Sequence, residues 1–394
     1  MQKLLLATAA AALLAGAAGA EEIKLGTSFG FTGPLETMAP PMQRGVELAA
    51  NEVSESGLLL DGSTVTVVQG DSTCIDAAAA TATVERLITA EGVKGIVGGM
   101  CSGETIASLE RVAMPHGVVM ISPSATSPAL STIEDNGLFF RTSPSDARQG
   151  EVMADIILEK GISSVAVTYT NNDYGKGLAD SFAAAFAEKG GRVTVNAAHD
   201  DGKADYSAEV AALAAAGGEA LVVAGYVDQG GSGIIRAALD TGAFETFVFP
   251  DGMVNDTLTR NFGTEIEGSF GQNPAAEGEG RDKLVAMAEA AGFDGTATYA
   301  GESYDAAALI LLAMAAAGSS DPSVYKDKVM DVANAPGEPI LPGELAKALE
   351  IINGGGDVDY VGATAVELVG AGESAGVYRQ IEIKDGQLSV VGYR

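Results

Sequence analysis

Basic side chains are scarce. In 394 residues, 23 Lys and Arg stand against 53 Asp and Glu, a net charge of −30. A chain this acidic repels phosphate backbones and anionic membrane surfaces, which argues against nucleic-acid partners. The acidity reads as a solubility or salt adaptation, with capture of a cationic ligand as the sharper alternative. Only two histidines occur, His116 and His199, and neither belongs to a ligand-spaced cluster, so no metal is expected. Cys74 and Cys101 are the only cysteines. In an exported chain, such a pair is most simply one disulfide, the alternative being two buried free thiols. Nucleotide signatures are missing: there is no G-x-x-x-x-G-K-[ST], and no G-x-G-x-x-G follows a strand, so no cofactor is expected. Long apolar runs are few. The alanine-rich stretch 306–317 ends at Gly318 and reads as a buried helix, not a membrane span.

What is present begins with a leader. Lys3 is the only charge in the first twenty residues, Leu4 to Leu14 is mostly apolar, and Ala18-Gly19-Ala20 forms a small-residue cleavage site. Residues 1–20 therefore read as a secretory signal peptide, and the mature product as soluble and exported. What remains is long enough for two domains of ordinary size.

Short β-branched runs then alternate with amphipathic helices. Strands are expected at 22–28, 64–69, 95–98 and 118–121, with helices between them, which means parallel βαβ units and one α/β domain. The segment 139–146 (FFRTSPSD) interrupts the series as an extended bridge ending in a cap for a helix from Ala147. A second series follows, with strands at 165–169, 192–196, 220–224, 246–249 and 269–272. From Gly280 the chain turns to helices with no new βα repeat. The tail alternates around Asp385-Gly386, a strong hairpin signal.

The stretch Gly95–Thr126 concentrates the chemistry. A glycine-rich turn leads into a helix with Ser102 as its expected cap, and the next strand ends in Ser122-Pro123-Ser124-Ala125-Thr126. Open α/β sheets bind ligands at the carboxyl ends of their strands, and helix N-termini attract anions. Ser102, Ser124 and Thr126 lie at such ends in the first domain; Tyr174, Tyr226 and Asp251 do so in the second. Donors on one side, and a carboxylate with two phenols on the other, suit an α-amino acid. Each residue alone has a plainer reading: a cap, turn formers, a loop tyrosine, a core aromatic, a turn aspartate.

Enzymatic motifs are weak. Gly372-Glu373-Ser374-Ala375-Gly376 matches G-x-S-x-G, but a strand follows it and both histidines precede it, so it reads as a surface turn. Ser323-Val324-Tyr325-Lys326 matches S-x-x-K and reads as a helix start.

Taken in order, Thr32-Gly33-Pro34, Gly70-Asp71 with Cys74, Cys101-Ser102, Ser122 to Thr126, Phe140-Arg141-Thr142 with Gln149-Gly150, Asp173-Tyr174-Gly175, Gly225-Tyr226, Pro250-Asp251-Gly252, and the ending Pro342-Gly343-Glu344 through Ala363 resemble a known pattern. The chain is similar, over essentially its full mature length, to periplasmic substrate-binding proteins of the branched-chain amino acid ABC transporter family. The resemblance implies a type I periplasmic binding fold, α/β, with two doubly wound lobes joined by three crossovers: residues 21–141 with 273–360, and 142–272 with 361–394. It implies a Cys74–Cys101 disulfide and no enzymatic activity. It also implies a monomeric periplasmic receptor that passes an aliphatic amino acid to a membrane permease. Ser102 and Thr126 would hold the carboxylate. The Ser124 carbonyl, Tyr226 and Asp251 would meet the ammonium, and Tyr174 would cover the ligand. Three positions depart from the pattern: Glu36-Thr37-Met38 replaces an aromatic residue, Asp251 replaces a longer glutamate, and Glu104 would repel a carboxylate unless it turns to solvent. The alternatives are the same clamp around another small carboxylate or amide, such as an aromatic acid, and an exported hydrolase.

Overall fold

In parallel sheets covered on both faces, strands are continuous apolar runs instead of alternating ones. Gly95–Gly98 (GIVG) and Ala220–Ala224 (ALVVA) are buried at every position, and each sits at the heart of a sheet. The computed structural model describes residues 20–394, so the expected leader lies outside the described residues but for Ala20. Strands β1 (Glu22–Phe29), β2 (Thr64–Asp71), β3 (Gly95–Gly98), β4 (Met120–Ser122) and β5 (Phe139–Arg141) pair in parallel in the order β5-β4-β3-β1-β2. Strands β6 (Ser164–Thr170), β7 (Arg192–His199), β8 (Ala220–Ala224), β9 (Phe247–Phe249) and β10 (Phe270–Pro274) repeat that order as β10-β9-β8-β6-β7. Two doubly wound lobes result, each with its strand ends facing a common cleft.

After β10 the chain returns to the first lobe. Helix Ala300–Ala317 is apolar and long enough to cross a membrane, yet 89% of it is buried within the protein. It packs along helix Ala39–Ser56 at Gly45, where a Cβ would stand 2.5 Å from the Ala300 carbonyl oxygen. No side chain fits there. Here the structure departs from expectation: β11 (Glu338–Ile340) and β12 (Val358–Tyr360) form a small parallel pair around helix Leu345–Asn353. A late βα unit therefore does exist. Its first strand is three residues long and contains Pro339, which weakens any strand signal.

The lobe boundaries also shift. Strands β13 (Leu368–Val369) and β14 (Glu373–Ser374) extend the first sheet beside β5, so the chain leaves that lobe after Ser374 and not at 361. Likewise β10 keeps the chain in the second lobe through Pro274 rather than 272. Two-residue strands carry no periodicity from which to be read. The G-x-S-x-G run is consequently no surface turn: Ser374 is buried in β14. The tail forms the expected hairpin, β15 (Tyr378–Lys384) with β16 (Gln387–Tyr393), antiparallel at the edge of the second sheet.

Of the two histidines, His116 is exposed beside Glu85, whereas His199 is buried at the end of β7, with Nδ1 2.8 Å from the Thr168 hydroxyl. Burial pushes the His199 imidazole down to about 4, so it is neutral at pH 7.

Cys74 and Cys101 are bonded, with Cα atoms 5.2 Å apart. The bond ties the loop after β2 to the turn after β3. Thr73 and Cys74 both adopt left-handed backbone conformations there, which the crosslink helps to hold. In the chain-entropy view, closing a loop of this size stabilises the fold by roughly 3–4 kcal/mol. The double substitution Cys74→Ser, Cys101→Ser is accordingly expected to lower unfolding free energy by about that amount, measured by urea denaturation of both proteins under oxidising conditions.

Candidate ligand-binding site

The first jaw is built around a buried guanidinium. Arg141, at the end of β5 and 1% exposed, donates from Nη1 to the Ala125 and Ser127 carbonyls at 3.0 Å each. From Nη2 it donates to the Ser131 hydroxyl at 2.6 Å and to Glu373 Oε2 at 2.5 Å. The serine-rich turn is thereby fixed from below. Within it, Ser122 donates to the Gly99 carbonyl (2.7 Å) and accepts from Ala125 N–H (2.9 Å), while Ser124 donates to the Met100 carbonyl (2.8 Å).

Ser102 is the first residue of helix Ser102–Ser108 and not its cap, which is Cys101. Its hydroxyl instead accepts from Ser127 N–H at 3.1 Å, joining the two turns. Thr126 is fully buried, and its hydroxyl has no close hydrogen-bond partner.

Glu104 does not turn to solvent. It folds back, 2% exposed, and Oε1 accepts from Met100 N–H (2.8 Å), Cys101 N–H (3.1 Å) and the Ser72 hydroxyl (3.1 Å). These contacts occupy two of the N–H groups that the sequence offered to an anion. Burial outweighs the hydrogen bonds and pushes the carboxyl up to about 8. Glu104 is therefore mainly neutral at pH 7 and does not repel a nearby carboxylate.

In the second jaw, Tyr174 and Tyr226 stack with centroids 5.2 Å apart and ring planes 9° from parallel. The Tyr174 hydroxyl donates to Asp251 Oδ1 at 2.8 Å and accepts from Gly252 N–H at 3.2 Å. Asn172, the cap of helix Asp173–Glu188, donates to the Tyr226 hydroxyl at 3.3 Å. Asp251, 3% exposed, takes a second phenol: the Tyr299 hydroxyl donates to Oδ2 at 2.5 Å. Burial raises Asp251 above the usual carboxylate range, and the two phenols oppose that rise.

Three of the expected residues thus form one cluster in the second lobe, and three form one hydrogen-bonded turn assembly in the first. Tyr299, Asp146 and Gln149 were not anticipated. Tyr299 precedes a helix, not follows a strand, so the strand-end rule could not find it. The expected cap before Ala147 is in fact Ser145, whose hydroxyl accepts from Ala147 N–H, and Asp146 opens the helix with its carboxylate buried. Burial raises that carboxylate well above its ordinary range, the charge of Asp251 adds to the rise, and the Thr126 hydroxyl and Arg141 oppose it.

The jaws are closed on each other. Thr37 donates from its hydroxyl to Asp228 at 2.8 Å and from its backbone N–H at 3.0 Å, and it accepts from Asn255 at 2.8 Å. On the opposite side, a Cβ at Gly103 would stand 2.8 Å from Asp173 Oδ2. The departure at 36–38 is thus a polar bridge between lobes. An open groove of about 950 Å³ also runs between them, lined by Phe31, Thr37, Arg44, Val254, Thr298 and Arg379 among others. None of the six expected residues lines it. It reaches the Asp251–Tyr299 pair only through their neighbours Val254 and Thr298.

Two α/β lobes hinged by three crossovers, with polar side chains at facing strand ends, define a clamp-type binding protein. The chain belongs to the periplasmic binding protein family, whose model matches residues 22–335. Among curated relatives, the Leu/Ile/Val-binding protein homolog 1 of Brucella melitensis is 31% identical over 351 residues, covering 85% of this chain and 92% of that protein. Among solved structures, the branched-chain amino acid transporter substrate-binding protein LivJ of Streptococcus pneumoniae, in complex with isoleucine, superposes with a TM-score of 0.77 at 22% identity, covering 94% of this chain and 99% of that one. A solute-binding protein of an ABC transporter from R. palustris, in complex with benzoate, superposes with a TM-score of 0.75 at 18% identity over 95% of this chain and 96% of that one. At these identities the structural likenesses establish the fold alone.

Glu104 makes the stability of the fold depend on pH. Its carboxyl ionises near 4.5 in the unfolded chain and near 8 in the native one, so the native state holds the extra proton between those values. Its contribution to stability is therefore lost as pH rises from about 4.5 to about 8. Glu104→Gln is expected to flatten that part of the stability profile, read from chemical denaturation at successive pH values.

Proposed function

We propose that this protein is the soluble receptor of an ABC importer, binding an aliphatic amino acid of the branched-chain type between its lobes and presenting it to a membrane permease in the periplasm. The observation that carries this reading is Asp251, a buried carboxylate held between two phenols opposite a turn rich in hydroxyls. A buried charge is costly unless paired, and a ligand ammonium is the partner such a site suits. Ser102, Thr126 and neighbouring N–H groups take the carboxylate; the Ser124 carbonyl, Tyr226 and Asp251 take the ammonium, with Tyr174 over the ligand. No bond is made or broken. Ligand shifts the population from open to closed because it touches both lobes only when they meet. The relatives bound to or named for Leu, Ile and Val support the same ligand class. A plain aromatic acid, as in the benzoate-bound relative, fits less well, because its carboxylate would bring no cation to Asp251.

Isothermal titration with leucine, isoleucine, valine, alanine and benzoate tests the assignment. Heat from at least one branched-chain amino acid is expected, and silence from every α-amino acid would overturn the ligand class while leaving the fold intact. Asp251→Ala should weaken amino-acid binding by roughly 100-fold or more, since it deletes the partner of a buried charge. Asp228→Ala should accelerate ligand release severalfold, measured by stopped-flow fluorescence, because the contacts with Thr37 join the two lobes.

A further inference from the structure

Four of the eleven arginines in this acidic chain, Arg44, Arg260, Arg281 and Arg379, line the open groove of about 950 Å³ between the lobes. Arg44, on helix Ala39–Ser56, and Arg281, on helix Glu279–Ala290, stand on the first-lobe side. Arg260, on helix Asp256–Phe262, and Arg379, on β15, stand on the second. Two of these cations form no ion pair among the described residues. Half-buried Arg379 donates from Nε to Asn273 Oδ1 and from Nη1 to the Thr296 carbonyl, at 3.3 Å each. Both acceptors are neutral, and Nη2 remains over. Arg260 donates only to the Thr257 hydroxyl, at 2.7 Å. Arg281 has one ion pair, with its exposed sequence neighbour Asp282 at 3.2 Å.

The acids nearby do not balance this charge. Glu47 pairs with Arg44 at 3.5 Å and accepts from Gln43 at 3.0 Å. Asp294 accepts from the Thr296 N–H at 2.8 Å and from its hydroxyl at 2.7 Å. Asp256, exposed one helical turn before Arg260, does not pair with it. Arg281 and Arg379 also share a smaller pocket behind the groove with Glu302, but burial pushes that carboxyl up to about 8, so it is mainly neutral at pH 7. A partly buried cation without an acid partner is costly, and a guanidinium offers a planar fork that matches a carboxylate. The rest of the groove is largely apolar: Phe31, Phe293 and Leu388 line it, together with Val390, which is 49% exposed. Charge and wall together suit an anion with an apolar body. Because the walls come from both lobes, such an occupant touches both only while they are closed, and it and the cleft ligand then tighten each other.

We propose that this groove is a second binding site, for a small organic carboxylate with an apolar body. Arg379 takes the carboxylate, Arg260 and Arg281 supply the surrounding positive charge, and occupancy favours the closed lobes. None of the six residues assigned to the amino acid lines the groove. The inference therefore goes beyond the amino-acid reading and needs it only for the coupling.

The chain has no tryptophan, so the fluorescence of 2-naphthoate is a clean probe. Titration of the full mature protein should show saturable binding of one equivalent, and 2-naphthamide, of the same shape without the charge, should bind at least tenfold more weakly. Arg379→Gln should weaken naphthoate binding tenfold or more, and Arg260→Gln severalfold. Saturating L-leucine should leave the probe bound and raise its affinity severalfold. No saturable binding, equal affinity for the amide, unchanged affinity in both variants, or displacement by leucine would overturn the site. Equal naphthoate affinities with and without bound leucine would overturn the coupling. If leucine and the other amino acids do not bind, the functional reading fails, and the naphthoate series on the ligand-free protein still decides the groove. If Arg379→Gln does not fold, the exposed Arg260→Gln and the amide comparison decide it.

Discussion

The Arg141 guanidinium is the point on which the first jaw depends. It is enclosed by the protein, and its donors reach two carbonyls of the serine-rich turn, a hydroxyl and the Glu373 carboxylate. A buried arginine with fewer partners would be strongly unfavourable, so the four acceptors and the cation require each other. Two of those acceptors belong to the turn carrying Ser124 and Thr126, and a third belongs to β14, the last strand before the chain crosses between lobes. The geometry of the serine-rich turn and the path of the final crossover are therefore set by one side chain. Ser102 is held to the same assembly through Ser127, and the disulfide holds the residue before it.

The second jaw is organised by a negative charge in place of a positive one. Asp251 is positioned by phenols, which orient the carboxylate without neutralising it, and the stacked pair Tyr174 and Tyr226 fills the space around it. The same preference for neutral surroundings recurs elsewhere in the interior. Glu104 and Glu302 are both pushed up to about 8 by burial, so they contribute little negative charge at neutral pH. The formal charge of −30 counts both of these buried carboxyls as ionised.

Most of the fold was legible because buried parallel strands are short apolar runs separated by amphipathic helices. The elements that escaped were those too short to show a period: β11 with its proline, its three-residue partner β12, and β13 and β14 with two residues each. The candidate site was legible only where it obeys the strand-end rule. That rule located Ser102, Ser124, Thr126, Tyr174, Tyr226 and Asp251 at facing edges, but it had no means of reaching Tyr299 or Asp146, which enter at helix starts. Glu104 was misread for a different reason. Its direction is decided by three donors contributed by the loop after β2 and the turn after β3, and no local pattern reports on such a contact.

The three crossovers have a consequence for the order in which this molecule can come into being. Neither sheet is complete when its first five strands have emerged: the first lobe waits for helix Ala300–Ala317 and for β14, and the second waits for the hairpin that ends at Tyr393. A nascent chain from which the last few dozen residues are still missing lacks the Glu373 partner of Arg141 and one edge of each sheet. Neither lobe can therefore complete its sheet until the last few dozen residues are in place.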